Sequence, residues 1–474
     1  MGSSADIVPS KLVVDPIHGD IHLTQREWRI LDTLAFQRLR HLKQLGMGHV
    51  TYPNATHTRF AHSLGTLGIM ARILDAAKAN KVALTKLQRE NLRMAALLHD
   101  IGHYPYSHLM ERIDSTTLTE EEVDGGEGGQ RPFDASRAGY PSHVELGTEI
   151  VTYQRDLVKA IGGPARAKEV AALFARTTAA DPQLSKLLHS SFDMDRVDYL
   201  ERDSHAAGVP YGNIDVNYLL NSLRISPTGM LGVVEKALPA AEHLLLARFF
   251  MHKAVYYHKT TYGIEEACRQ LLRRLRDANL FDIPSDRQAI LAIARSPALG
   301  TFTDSFVDGL IHRGAQEGNE VIKALAKCIE SRRPPKLLKE VLVLEKSTIT
   351  HHAGTTFWVK AKSSLRALAD KHCIPLEQFL LCQTNPVGFE ERGALLTPAQ
   401  ARELPAEHED ELVKVFVGNT PEPKPMVDIP HSLVSICSGH FFQAFRLYVV
   451  YEGNDRDSIV GQLRDEVRTW DSPQ

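Results

Sequence analysis

The chain has 474 residues, 43% hydrophobic and 24% charged, which is ordinary for a globular protein and enough to bury a sizeable core. A formal charge of −3 and a pI near 6.7 exclude binding of nucleic acid or acidic membranes by bulk charge, so an anionic ligand must be held by local cations. The five cysteines (Cys268, Cys328, Cys373, Cys382, Cys437) are odd in number, scattered and without Cys-x-x-Cys spacing, which argues against a disulfide framework and a thiolate zinc site. The chain has no apolar run of about eighteen residues and its first residues lack an apolar or basic signal region, so a cytoplasmic protein without membrane contact is expected.

Thr24-x-x-Glu27 is a capping box opening an amphipathic helix over 24–46, whose apolar residues recur at three- and four-residue steps before Gly46. Further helices are predicted at about 62–80, 84–101, 143–159, 165–176 and 239–278, making the first two thirds mainly helical. Residues 114–142 are polar and glycine-rich and read as a mobile insertion. Two short β-prone runs around Pro227-Thr228-Gly229 predict a small hairpin. From residue 335 the texture changes. Segments 339–349 (KEVLVLEKSTI), 355–362 (TTFWVKAK) and 440–452 (HFFQAFRLYVVYE) read as strands flanking one helix near 362–373, with Pro-rich 416–432 as a surface loop. The expected fold class is mainly α, a helical bundle with a small β hairpin in residues 1–334 and a smaller C-terminal α+β lobe in 335–474.

Imidazole nitrogens and carboxylate oxygens hold a borderline divalent metal while leaving positions open for water or substrate. Residues 57–63 (HTRFAHS) supply His62, and 97–103 (LLHDIGH) supply His99 and Asp100. Residues 190–203 (SSFDMDRVDYLERD) supply several aspartates; Asp195 is taken, with Asp193 its near neighbour. Any one of these clusters is as well explained by capping or by a hydrogen-bonded core histidine. The ordered set, in apolar helical sequence that could bring the parts together in a bundle core, is what points to ligands. His103 and His108 lie outside that set, and an intrinsic pKa of about 6.5 suits histidine to proton transfer near neutral pH.

Six stretches occur in this order: 11–23 (KLVVDPIHGDIHL), 36–46 (FQRLRHLKQLG), 57–65 (HTRFAHSLG), 99–108 (HDIGHYPYSH), 193–203 (DMDRVDYLERD) and 248–259 (RFFMHKAVYYHK). Through them the chain resembles the HD-domain phosphohydrolase superfamily. Within it the likeness is to the deoxynucleoside triphosphate triphosphohydrolases of the SAM-and-HD-domain-containing branch, without the SAM domain, and it runs from Lys11 to about Phe281. The resemblance implies an HD-domain helical bundle and a divalent metal (Mn, Fe, Zn or Mg) held by His62, His99, Asp100 and Asp195; it also selects Asp195 over Asp193. It implies catalytic His103, His108 and His143 around the α-phosphate, with Glu111 beside them. Arg59, Arg196 and Arg248 would hold the triphosphate and Tyr199 a phosphate. Gln44 and Leu45 would meet the sugar, Asp203 the region of the 3′-hydroxyl, and Tyr256 and His258 the sugar and phosphate sides. An aromatic face against the deoxyribose would leave no space for a 2′-hydroxyl. Lys11, Asp32, Gln37 and Arg40 match an activating-nucleotide site at a subunit boundary, which implies a homodimer or homotetramer.

The chain departs from the family pattern in three places. Glu111 stands where the family has aspartate, Arg196 stands where the animal enzyme has lysine, and the segment from His108 to His143 is longer, with "SHVELG" a poor match to the family's His-Glu spacing. The resemblance implies a metal-dependent hydrolase cleaving a dNTP to deoxynucleoside and inorganic triphosphate. Three arginines beside a metal would also suit another nucleoside polyphosphate, such as diadenosine tetraphosphate or a guanosine alarmone. A third reading is a non-catalytic nucleotide sensor or nucleic-acid-binding module. The presence of every candidate ligand speaks against it, and the basic stretches at 273–276 and 331–336 read as solvated faces.

Overall fold

The computed structural model describes residues 10–114, 139–177, 180–189, 192–346, 353–388, 413–437 and 439–471; most of the segment read as a mobile insertion lies outside them. Among the described residues the architecture is mainly helical, with three small sheets of order β1-β2, β3-β4-β8-β9 and β5-β10-β6, the last carrying β7 on β10. Here β1 is Lys11–Asp15, β2 Gly19–Leu23, β3 Leu223–Ile225, β4 Leu231–Val234, β5 Lys336–Lys346, β6 Phe379–Gln383, β7 Val387–Gly388, β8 Lys414–Phe416, β9 Lys424–Pro425 and β10 His440–Val449.

The capping box at Thr24 and Glu27 forms, but the long helix expected over 24–46 does not. Thr33 takes an extended conformation and its hydroxyl accepts the Phe36 N–H, so a second helix, Leu34–Gln37, starts afresh after Gln25–Leu31 and gives way to a 3-10 turn at Arg38–His41. The break turns Arg38 into the core, where it is 1% exposed. Its guanidinium donates to the carbonyls of Phe302 (2.8 Å), Ile101 (3.2 Å) and His103 (2.6 Å), and so pins the turn that follows His99-Asp100.

The helix Arg59–Ala79 is buried on most of its surface, packing on Lys86–Leu98 and on Met194–Ala207. Gly65 permits the second contact, because a Cβ there would sit 1.7 Å from Asp198 Oδ1. The helix expected over 143–159 is two, His143–Tyr153 and Arg155–Ile161. The one expected over 239–278 is interrupted by a π turn at His252–Tyr256, between Leu238–Met251 and Lys259–Asp277.

The hairpin at 223–234 is present, antiparallel from Leu223↔Val233 to Ile225↔Leu231, and β8 adds to it in parallel at Val233↔Val415. Segment 416–432, read as a surface loop, instead closes this sheet through β9 and buries Met426, Val427 and Ile429. Segment 355–362, read as a strand, lies in the helix Ala353–His372. Phe357, Ala361, Leu365 and Leu368 are buried at four-, four- and three-residue steps, so helical periodicity overrides the β-prone Thr, Trp and Val at its start. That helix and Arg456–Val467 bury a second apolar cluster, with Phe379, Leu381, Phe445 and Trp470, against the β5-β10-β6 sheet. β10 joins it to the larger core: Tyr448 packs there, and its hydroxyl donates to the Lys259 carbonyl at 2.8 Å.

Candidate metal and phosphate site

His62, in the first turn of its helix, is fully buried, and its Nδ1–H donates to Asp198 at 2.6 Å. His99, just past the end of Lys86–Leu98, donates Nδ1–H to the Ala96 carbonyl at 2.8 Å. Both rings therefore present Nε2 to the same space, where neither nitrogen has a hydrogen-bond partner. Asp195 Oδ1 lies 3.0 Å from His62 Nε2 and 3.6 Å from His99 Nε2, without hydrogen-bond alignment. Asp100 comes within 3.2 Å of His99 Nε2 and 3.5 Å of His62 Nε2. Asp193 is used otherwise, accepting the Arg196 N–H at 2.7 Å as a helix cap.

Two orphaned buried nitrogens facing two carboxylates fit a divalent cation, and the carboxylate and carbonyl behind the rings are the outer partners that fix ligand tautomers. Charge argues the same way. Burial pushes the pKa of His62 down, yet the close carboxylates of Asp195, Asp198 and Asp100 carry it up to about 10. The enclosure asks for a positive charge, from a proton or from a metal ion. Asp195 is the exposed member, its side chain 42% accessible, so the cluster opens on that side.

The second histidine group adjoins the first through Asp100, whose Oδ1 lies 3.1 Å from His103 Nε2. Gly102 sets the approach: a Cβ there would meet the His143 carbonyl at 2.0 Å, so the turn seats directly on the helix that begins at His143. The His103 and His143 rings stack at 4.2 Å, 14° from parallel, and His108 stands edge-on to both at 5.0 and 5.4 Å. One carboxylate serves two of these rings: Glu111 accepts from His108 Nδ1 at 2.7 Å and from His143 Nδ1 at 2.8 Å. Burial pushes Glu111 up, but these hydrogen bonds outweigh it and hold the carboxyl well below the usual range. Tyr106 and Ser107, before His108, have φ of +52° and +57°, sparsely populated conformations costing on the order of 1–3 kcal/mol each. Asp304 and Asp308 hold it by accepting the Tyr106 N–H (2.7 Å) and hydroxyl (2.5 Å).

Arg59 bridges the two clusters, donating Nη1 to Asp100 and Nε to the Ser107 hydroxyl at 2.9 Å. Arg196 and Arg248 both lie beside the Tyr199 side chain, giving a second cationic wall. Asp203 accepts from the Tyr256 hydroxyl (2.9 Å) and pairs with His57 (2.7 Å), while Tyr199 meets Tyr256 edge-on at 6.2 Å. Gln44 Oε1 is buried without a partner, and Leu45 follows it, half-buried. His258 is placed elsewhere: its Nδ1 caps the helix Lys259–Asp277 by accepting the Thr260 N–H, and its ring lies edge-on to Tyr52 at 5.8 Å. Of the residues matched to an activating nucleotide, Arg40 donates to Gln37 at 2.9 Å and stacks on Phe60. Lys11 sits 3.4 Å over Trp28, one helical turn from exposed Asp32.

The family model for the HD domain matches residues 59–203, and that for the HD associated region matches 214–289. This chain carries an HD domain. It is similar to the uncharacterised protein YwfO of Bacillus subtilis, 31% identical over 268 residues, 56% of this chain and 56% of that protein. It is also similar to the deoxynucleoside triphosphate triphosphohydrolase SAMHD1 of Gallus gallus, 27% identical over 368 residues, 71% of this chain and 57% of that one. The match thus spans little more than half the length of these curated relatives. The crystal structure of a phosphohydrolase from Bacteroides thetaiotaomicron shares the fold, with a TM-score of 0.67 over 92% of this chain and 99% of that one at 22% identity.

Six residues around the HD domain's centre were not singled out from sequence. Asp198 orients His62, and His18 (2.7 Å) and Arg202 (2.8 Å) hold Asp198 in turn, with Arg202 also paired to Asp15 at 3.0 Å. His57 orients Asp203. His252, in the π turn, meets Tyr256 edge-on at 4.9 Å, and its Nδ1 is buried without a partner. Burial, then Arg248 and Arg196, pull its pKa to about 3, so it is neutral beside that cationic wall. The spacing Arg248, His252, Tyr256 in steps of four was the available signal.

Proposed function

We propose that the HD domain of this chain is a metal-dependent phosphohydrolase that attacks the α-phosphorus of a deoxynucleoside triphosphate, releasing deoxynucleoside and inorganic triphosphate. The observation that carries the proposal is the pair of unpartnered His62 and His99 nitrogens facing Asp195 and Asp100, beside a three-histidine group. A divalent ion held by these residues supplies Lewis acidity, drawing charge from a phosphoryl oxygen and making water more acidic. Arg59, Arg196 and Arg248 bind the polyphosphate; three cations answer most of its charge. In the hydrolysis one water oxygen bonds to the α-phosphorus, the bond from phosphorus to the 5′-oxygen breaks, and that oxygen leaves with a proton. His103, His108 and His143 are placed to hold that proton, with Glu111 orienting two of them. Tyr256, held by Asp203, offers the aromatic face that would exclude a 2′-hydroxyl.

The choice of a deoxynucleotide rests on the likeness to the Gallus gallus enzyme and on Tyr256. To test it, purified protein is incubated with Mn²⁺ or Mg²⁺ and, separately, each dNTP, each rNTP and diadenosine tetraphosphate, and the products are identified by mass. Inorganic triphosphate from dNTPs alone is expected. Cleavage of the dinucleotide only, or recovery of bound nucleotide without turnover, would overturn the proposal.

A further inference from the structure

We propose that His103, His108 and His143 form a second metal site, of the three-histidine type that suits zinc, separate from the His62, His99, Asp100 and Asp195 set. Ring nitrogens from the three histidines come within 4.8 Å of one another. Each ring has one nitrogen tied to a carboxylate: His103 Nε2 to Asp100 (3.1 Å), His108 Nδ1 to Glu111 (2.7 Å) and His143 Nδ1 to Glu111 (2.8 Å). That backing fixes the tautomers and leaves His103 Nδ1, His108 Nε2 and His143 Nε2 with lone pairs free to donate, the outer-partner pattern of metal-binding histidines. His103 supplies an independent observation. It is 2% exposed, yet its Nδ1 has no hydrogen-bond partner, and a buried polar atom left in that state needs a ligand.

The packing suits this chemistry. The near-parallel stack of His103 and His143 keeps two rings side by side at 4.2 Å, and His108, whose side chain is 49% exposed, closes the group from the solvent side. Three imidazoles with an open fourth position make a catalytic-type zinc environment, and the Glu111 carboxylate supplies compensating negative charge. A ring that gives its lone pair to a metal has none for a proton. Zinc at this site therefore excludes the proton-holding role assigned to the same rings above and holds the centre idle. This consequence rests on the proposed function, but the site itself does not.

The test counts metal without using turnover. The full chain is dialysed to equilibrium against Zn²⁺ in the absence of nucleotide, and bound metal is measured by mass spectrometry. Two ions per chain are expected for the unchanged protein and one for the double variant His108→Ala, His143→Ala, in which retention of the first ion reports that the fold survives. In Glu111→Gln both ions remain, with the second bound about 10–100-fold more weakly. A single ion in the unchanged protein at saturation, or a second ion whose affinity is the same in Glu111→Gln, overturns the proposal. Neither result bears on dNTP cleavage, which the turnover assay decides on its own.

Discussion

Around His62 and His99, Asp100, Asp195 and Asp198 outnumber the arginines that answer them, Arg59 and Arg202; around His103, His108 and His143 the rings outnumber their carboxylates. The first group is enclosed by two long helices in contact through Gly65, and the second is assembled from a turn, a four-residue helix and a helix N-terminus. Three carboxylates to two arginines, with Asp195 partly exposed on the open side, favour a cation in the first group. The second group, partly open, can carry a proton or an ion, and its geometry depends on Glu111 and on the strained Tyr106-Ser107 step. One region is built to hold charge and its neighbour to exchange it.

The largest effect that would break this contrast is expected from Asp195→Ala. The side chain is 42% exposed and packs little, so the fold persists while tightly bound metal is lost and turnover falls to background. Metal analysis beside product analysis checks this; metal retained at full occupancy would remove Asp195 from the ligand set. Next is His143→Ala, which leaves the first centre intact and lowers kcat by about 10²–10⁴, the usual worth of a positioned proton donor, with KM little changed. A loss confined to KM would show the ring to be a binding group instead. Glu111→Asp comes third. The shorter arm cannot reach both His108 Nδ1 and His143 Nδ1, so kcat falls about 10–100-fold with metal content at the first centre unchanged. Unchanged kcat would mean that the rings orient themselves.

The proximity of the first group's residues was largely legible in sequence because they come in compact motifs on helices, where residue type and order carry the signal. The outer partner Asp198 was written three residues past Asp195, but its contact with His62 depends on two helices touching at Gly65, which no local pattern records. His258 was matched where His252 belongs to the cluster. Both histidines stand near Tyr256 in the chain, but the π turn adds a residue to the helical repeat and carries His258 past the helix end, into a cap. The break at Asp32-Thr33 was hidden by apolar spacing that continues across it; the buried Arg38 explains it, and only tertiary structure shows Arg38 bonding the carbonyls of Ile101 and His103. In the C-terminal region, Thr, Trp and Val obscured a four-residue repeat, and Pro-rich composition obscured the short strand β9, which pairs with β8 and so extends a sheet begun by a hairpin nearly two hundred residues earlier.

The smallest effect is one of pH, and it sharpens the contrast because it belongs to the first group. In the metal-free protein the His62 pKa is raised to about 10, against about 6.5 for an unfolded histidine. A raised folded value means that the native state binds the proton more tightly, so this contribution to stability is complete below about pH 6.5 and is lost as pH climbs through about 10. A metal ion entering the site must displace that proton, so its apparent affinity should rise about tenfold per pH unit below 10. Thermal melts with and without chelator, run from pH 6 to 9, read both effects: the melting temperature in chelator should drift down as pH rises, and the stabilisation by metal should grow. Metal stabilisation that stays level across the range would show that His62 carries no proton to displace, and the charge argument for the first group would then fail even if the ligand set stood.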